Sequence, residues 1–405
     1  MKQTIRILFI NHSVRDGGPG RSLFYMLRYI DKARFTPFVL VPKEGVFTEL
    51  LRNEGLGDKI IVEKKFPENI LRPRFNSNRL SPRVLKTASV ALNVIDLFLL
   101  ILRSPFLIRK VKVDVIYCNG TLAKIFGALI GVLNRRPVIW HVRNIQQTRA
   151  LRFTMNALSL LPAVKKIICV SGAAVAQFCF DQKKISLVHN GVDIEEFNPE
   201  RTPRILRSEY GIPEGVIVVG SIGRIVPRKG YEYMIKAALI VIKSLGGNTN
   251  KVRFVIVGDT PYFFVDNHLE FLKDLVSSLG LKSVFIFTGY KRDIKPYLKD
   301  FDIFVIPSSY PDPFPRVVIE AMAFALPVVG FRVGGIAEAV EDGVTGLLNE
   351  SGNPEQLGNS ILRLIHDNSL RASMGIASRE RVKKYFSVES KTREIEKKIL
   401  EVGVK

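Results

Sequence analysis

Short runs rich in Val, Ile and Phe alternate with stretches of helical spacing, and this alternation is written twice along the chain. In the first series the apolar runs are residues 5–10, 37–41, 59–62, 114–118, 138–141, 166–170 and 186–189. In the second they are residues 216–221, 253–257, 284–287, 302–307 and 327–329. Apolar strands separated by helices require a largely parallel sheet with helices on both faces. The segment Asn198-Pro-Glu-Arg-Thr-Pro203 reads as a linker between the two series. The expected architecture is therefore α/β, with two doubly wound, Rossmann-like domains at residues 1–200 and 201–385. A final amphipathic run, residues 386–405, would cross back to the first domain. Two such domains facing across a cleft would take a ligand between them.

Ligands of doubly wound sheets bind at the carboxyl ends of the strands. Asn11, Asn119, His141, Ser171 and Asn190 each follow a strand and should line one rim. The loop from Asp16 to Gly20 between the first strand and helix lets backbone approach a ligand, or is simply a tight turn. In the second half, Arg224 and Lys229 follow a strand and would clamp a diphosphate, Arg as a fork and Lys as a point charge, unless they are solvated surface charges.

Residues 308–346 read SSYPDPFPRVVIEAMAFALPVVGFRVGGIAEAVEDGVTG. A helix should begin near Pro315, and its free N–H groups suit phosphate. Asp312 precedes this helix and Glu320 lies inside it, so both can offer oxygens to hydroxyl groups. Asp312 also fits a simple helix cap, and the pair fits an acid/base dyad less well, because a carboxylate beside Arg224 and Lys229 stays ionised. His141 follows a strand and reads either as structural or as a cleft residue. No GxxxxGK[ST] loop is present, which argues against phosphoryl transfer by that device.

The chain carries 60 Lys and Arg against 38 Asp and Glu, a net charge of +22. Residues 1–200 hold 31 basic and 15 acidic residues, so most of the excess lies there and favours an anionic partner. Lys64, Lys65, Arg72, Arg74, Arg79, Arg83 and Lys86 precede the apolar stretch 88–108, and Arg109, Lys110 and Lys112 follow it. Ser89, Asn93, Asp96 and Arg103 form one narrow polar stripe on that stretch. It reads as a core helix, or as a segment docking residues 64–112 on an anionic membrane surface. A nucleic-acid partner rests on charge alone and is not expected. Cys118, Cys169 and Cys179 lack paired spacing and read as buried free thiols; no metal site is expected. The apolar run near the N-terminus is short and broken by Arg6, and no stretch reaches about 18 uninterrupted apolar residues. A cytoplasmic protein without a spanning helix is expected, at most peripheral on the inner face of the cell membrane.

Taken together, the chain resembles the retaining glycosyltransferases of family 4, also called glycosyltransferase group 1, which have the GT-B fold. The resemblance rests on Gly17-Gly18-Pro19-Gly20, His141, Asn190-Gly191-Val192-Asp193, Gly223-Arg224, Lys229-Gly230, Glu320-Ala-Met, Pro327-Val-Val and Gly334-Gly335. It implies transfer of a sugar from a nucleotide diphosphate sugar to a glycan or lipid-linked acceptor, with retention and without an obligatory metal or other cofactor. It implies that Arg224 and Lys229 hold the diphosphate, Asp312 the donor sugar, Glu320 the ribose, and Gly289 and Tyr290 the base. Val317 completes the donor-binding set, Gly17 and Gly18 approach the donor from the first domain, and His141 lies near the reacting centre. Two positions depart from the family pattern: Asp312 stands where Glu is usual, and Pro315 where Gly is frequent. A non-catalytic nucleotide-sugar-binding protein and a sugar-nucleotide epimerase are the alternatives on the same fold.

Overall fold

The computed structural model describes residues 4–13, 17–70, 82–180, 182–261 and 267–402, with side chains from residue 85 onward in the helix that starts at Pro82. Asp16, Arg72, Arg74 and Arg79, and the side chain of Arg83, lie outside the described residues. The chain divides into two compact units, Met1–His189 with Val388–Lys405, and Asn190–Ser387. The division falls between His189 and Asn190 rather than at the linker near residue 200. Asn190 and Gly191 are tied into the second unit: Asn190 Nδ2 donates to the Phe314 carbonyl at 2.9 Å, and Arg316 Nη1 donates to the Gly191 carbonyl at 3.0 Å.

In the first unit, strands β1 (Ile5–Asn11), β2 (Phe35–Val41), β3 (Ile60–Val62), β4 (Val115–Asn119), β5 (Val138–Val142), β6 (Val164–Cys169) and β7 (Ile185–Leu187) form one sheet in the order β3-β2-β1-β4-β5-β6-β7. All its pairings are parallel. The helices are α1 (Gly18–Tyr29), α2 (Val46–Asn53), α3 (Pro82–Val111), α4 (Thr121–Asn134), α5 (Arg149–Ser159) and α6 (Gly172–Val175). The inner strands β4 and β5 are buried along both faces, as their continuous apolar runs require, and the edge strands β3 and β7 are not.

The second unit carries α7 (Leu206–Glu209), β8 (Ile217–Ile222), α8 (Tyr231–Ser244), β9 (Val252–Val257), α9 (His268–Ser278), β10 (Phe285–Phe287) and α10 (Lys295–Leu298). It continues with β11 (Ile303–Ile306), α11 (Arg316–Ala323), β12 (Val328–Phe331), α12 (Ile336–Ala339), β13 (Gly346–Asn349), α13 (Pro354–His366) and α14 (Asn368–Tyr385). Its sheet order is β10-β9-β8-β11-β12-β13, again all parallel. Both sheets thus follow the doubly wound order in which strand succession reverses beside the first strand, between β1 and β4 and between β8 and β11. Strand β13 has no counterpart in the sequence reading; it is a short edge strand carrying two leucines between Gly346 and Asn349, too brief to register as a period.

The last helix, α15 (Val388–Leu400), belongs to the first unit. It packs on α1, with Ile395 and Ile399 buried, and Glu396 Oε1 accepts from the Asp31 backbone N–H at 2.7 Å.

Helix α3 differs from a simple core helix. Leu97, Leu100, Ile108 and Val111 join the core of the first unit. Ser89 and Asn93, half of the polar stripe, also point inward. The Ser89 hydroxyl donates to the Leu85 carbonyl at 2.7 Å, and Asn93 Nδ2 to the Ile70 carbonyl at 2.8 Å. Against expectation, Leu85–Val111 is long and apolar enough to cross a membrane by length and composition. Of the three free cysteines, Cys118 and Cys169 are buried as expected, whereas Cys179 is exposed.

Candidate active site

The β8–α8 loop and the β11–α11 loop meet at the strand-order reversal of the second sheet. Gly230 makes this possible. It is left-handed, with φ of 67°, and a Cβ there would lie 2.1 Å from the Pro307 carbonyl at the end of β11. Only glycine fits such a conformation with a backbone so near. The approach sets Lys229 Nζ 2.6 Å from Asp312 Oδ2, with both side chains more than four-fifths buried. The Ser308 hydroxyl donates to the same carboxylate oxygen at 3.1 Å. Arg224 is exposed and, among the described residues, makes no hydrogen bond. Crowding by neighbouring atoms, and then Arg228, push its guanidinium down, and Asp312 opposes them. A guanidinium keeps its charge through such a shift. The rim therefore presents Arg224 as an open cation beside a Lys229–Asp312 pair.

Helix α11 starts at Pro315, whose extended backbone (φ −69°, ψ 117°) ends the loop, as a residue with no N–H to lose does well. Val317 is half-buried on its first turn. Glu320 is buried one turn further on and paired with Arg316, whose Nε and Nη2 both donate to Oε1, at 3.1 and 2.9 Å. Oε2 receives neither bond. By sequence alone Glu320 is open to a ligand; the one signal of its pairing is the spacing of four from Arg316. Ser308 had no such signal.

The Gly334–Gly335 turn after β12 props the Asp312 loop from behind. Gly335 N–H donates to the Asp312 carbonyl at 2.8 Å, so that amide is taken up by the fold rather than offered to phosphate. A Cβ on Gly335 would stand 2.1 Å from the Pro313 carbonyl. At the far side, Gly289 ends β10 with φ of 71°, its carbonyl accepting from the Gly258 N–H at 3.0 Å, and Tyr290 is 61% exposed.

The sequence-named residues of the first unit gather at its own reversal, between β1 and β4. Asn119 Nδ2 donates to Asn11 Oδ1 at 3.0 Å and to the Pro19 carbonyl at 3.2 Å, anchoring the loop of exposed Gly17 and Gly18. His141 is 1% exposed. Its Nδ1 bonds the Tyr117 hydroxyl at 2.5 Å and Arg143 Nη2 at 3.1 Å. Arginine only donates, so Nδ1 accepts and the proton resides on Nε2. Nε2 is buried without a partner among the described residues. Burial first, then Arg143 and Lys124, hold the imidazole well below its ordinary value. His141 is thus a neutral N–H donor rather than a base. Tyr117 and Arg143, which fix this tautomer, carry no sequence signal. Among the described residues no three His, Cys, Asp or Glu side chains group as a metal site.

Two family models account for most of the chain. Residues 16–196 match Glycosyltransferase Family 4, and residues 204–381 match Glycosyl transferases group 1. The chain is 28% identical over 386 residues to sulfoquinovosyl transferase SQD2 of Arabidopsis thaliana, covering 89% of this chain and 66% of the plant protein. It is 25% identical over 279 residues to the Escherichia coli UDP-Gal:alpha-D-GlcNAc-diphosphoundecaprenol alpha-1,3-galactosyltransferase, covering 65% and 69% of the two chains. Among solved structures, Anabaena Alr3699/HepE in complex with UDP and glucose superposes with a TM-score of 0.78 at 24% identity, covering 98% of this chain and 99% of the other. That likeness identifies the fold as GT-B.

Proposed function

Because the chain belongs to the group 1, family 4 glycosyltransferases, we propose that it moves a sugar from a nucleotide diphosphate sugar to a glycan or lipid-linked acceptor, with retention at the anomeric carbon. Surface polysaccharide or glycolipid synthesis is the setting that the relatives support, and uridine diphosphate is the nucleotide that HepE holds. The observation that carries this reading is the convergence of Arg224, Lys229 and Asp312 at the β8/β11 reversal, beside the start of α11.

The arrangement suits an exchange of partners. An arriving diphosphate offers Lys229 a stronger anion than Asp312 and gives Arg224 a counter-charge. Asp312, released from the lysine, can then accept from hydroxyls of the donor sugar. Glu320, oriented through Oε1 by Arg316, would turn Oε2 to the ribose. The base would lie by Gly289 and Tyr290, with Val317 bordering the donor. In the first unit, Gly17 and Gly18 present open backbone, and His141 carries an Nε2–H without a partner among the described residues. Catalysis would come from positioning and from stabilising charge on the leaving diphosphate, with two cations doing what a metal does elsewhere. The work would take place in the cytoplasm, at the inner face of the cell membrane, where a lipid-linked acceptor is reached.

Lys229→Ala tests the assignment. Transfer should fall about a hundredfold or more, while circular dichroism shows the fold retained and the thermal midpoint drops, because Asp312 loses its partner. Undiminished turnover in a folded variant would overturn the role of Lys229. The anomeric configuration of the product, read by NMR, decides retention.

A further inference from the structure

Helix α3 is apolar on its outer face as well as on the face of Leu97, Leu100, Ile108 and Val111 that joins the core. Its polar Ser89, Asn93 and Ser104 are buried against the unit, and Ser104 accepts from Asn134 at the end of α4 at 2.8 Å. Four large apolar side chains face out: Ile95 is 52% exposed, Phe98 58%, Leu102 55% and Phe106 75%. These four recur at spacings of 3, 4 and 4, one stripe on a 3.6-residue helix. The surface does not end with α3. Helix α4 packs beside it and α5 beside α4, and they add exposed Leu133 and Phe153. Apolar exposure on neighbouring helices of this kind marks a contact with another phase or partner.

Charge identifies the occupant. Residues 82–160 contain twelve Lys and Arg and only two acids, Asp96 and Asp114. Asp114 is occupied by the Arg6 backbone N–H at 2.8 Å. Exposed Arg103, Arg109 and Lys110 lie along the aromatic stripe itself. Aromatic and aliphatic side chains ringed by cations, with almost no acids, complement an anionic lipid surface. The helix cannot leave the protein to span a bilayer, since Leu97, Leu100 and Ile108 are core residues of the unit.

We propose that α3, α4 and α5 form a monolayer-docking face, on which α3 lies flat with Phe98 and Phe106 inserted among the acyl chains of an anionic leaflet. This deepens the proposed reading by naming the surface that would bring a lipid-linked acceptor within reach, but it does not depend on sugar transfer.

The full chain, without donor or acceptor, is floated with vesicles of phosphatidylglycerol and phosphatidylcholine in equal parts, and with phosphatidylcholine alone. It should float with the anionic vesicles at low salt and dissociate at high salt. Phe98→Ser with Phe106→Ser should cut binding by about tenfold per phenylalanine, with the thermal midpoint unchanged because both side chains are already exposed. Absence of binding to the anionic vesicles overturns the proposal, as does binding that the double variant retains. Self-association abolished by the same two substitutions would assign the face to a second copy and overturn it too. A loss of transfer activity without loss of flotation would count against the proposed function only.

Discussion

Lys124 sits on the first turns of α4, 1% exposed, with Asn144 Oδ1 at 3.3 Å as its hydrogen-bond partner and, among the described residues, no carboxylate in an ion pair. Burial pushes its ammonium down from 10.5 to about 8. The folded state therefore favours the neutral form, while the unfolded chain holds its proton up to 10.5. Between those values the unfolded state binds more protons at this site, so the contribution of Lys124 to stability should rise with pH across the window from about 8 to 10.5, opposed by Cys118 and Cys169, whose thiols burial pushes up. The rise should be on the order of 3 kcal/mol. Lys124→Met should remove the rise and stabilise the protein below its start. Denaturant midpoints of the two proteins at both ends of the window measure this, and parallel curves would refute it. Single residues were unevenly legible. Arg224, Lys229 and Asp312 stood out because they follow strands at the carboxyl rim, where ligands of such sheets bind. Lys124 and Tyr117 did not, because a lysine in a helix and a tyrosine in a strand look alike whether buried or exposed.

Helix α11 shows what one element contributes beyond its apolar face. Arg316 and Glu320 are both buried and joined by two bonds, so neither charge tolerates loss of the other. Glu320→Ala should cost roughly 3–5 kcal/mol by stranding the guanidinium. Replacing both residues by methionine should recover most of that stability but no activity. Denaturation midpoints beside turnover rates separate the two effects; full stability in Glu320→Ala would show that Arg316 finds another partner. The sequence reading placed this helix and its start correctly, since Pro315 and the apolar run are local signals. It missed the pairing because helical spacing shows that two side chains can meet, not whether a ligand or a neighbour takes the carboxylate. Helix α3 was half legible for a related reason. A helix apolar on nearly every side has no pattern that says which side faces in, so its inward Ser89 and Asn93 and outward phenylalanines emerged only from packing.

At the scale of the whole molecule, α15 returns the end of the chain to the first unit. Val388, Ile395 and Ile399 are buried there, and Lys166 pairs with Glu401 at 2.7 Å. Burial of each such side chain stabilises by roughly 1.5–3 kcal/mol, so truncation after Ser387 should weaken the first unit by several kcal/mol and leave the second intact. Trp140, the sole tryptophan, is buried in the first unit and reports on it alone. Its fluorescence should change early in a melt of the truncated chain, ahead of the remaining loss of helix signal; a single coincident transition would contradict this. The sequence by itself determined two parallel α/β sheets, because strand and helix periods are local and repeat twice, and it placed the loops proposed as the site at the strand ends, because parallel strands place their ends on one rim. Only the tertiary structure decided that Lys229 holds Asp312 and Arg316 holds Glu320, that His141 is a neutral donor, and that α3 shows its phenylalanines to the outside. Those outcomes depend on which distant segments meet and which face is covered. Neither is encoded in spacing along the chain.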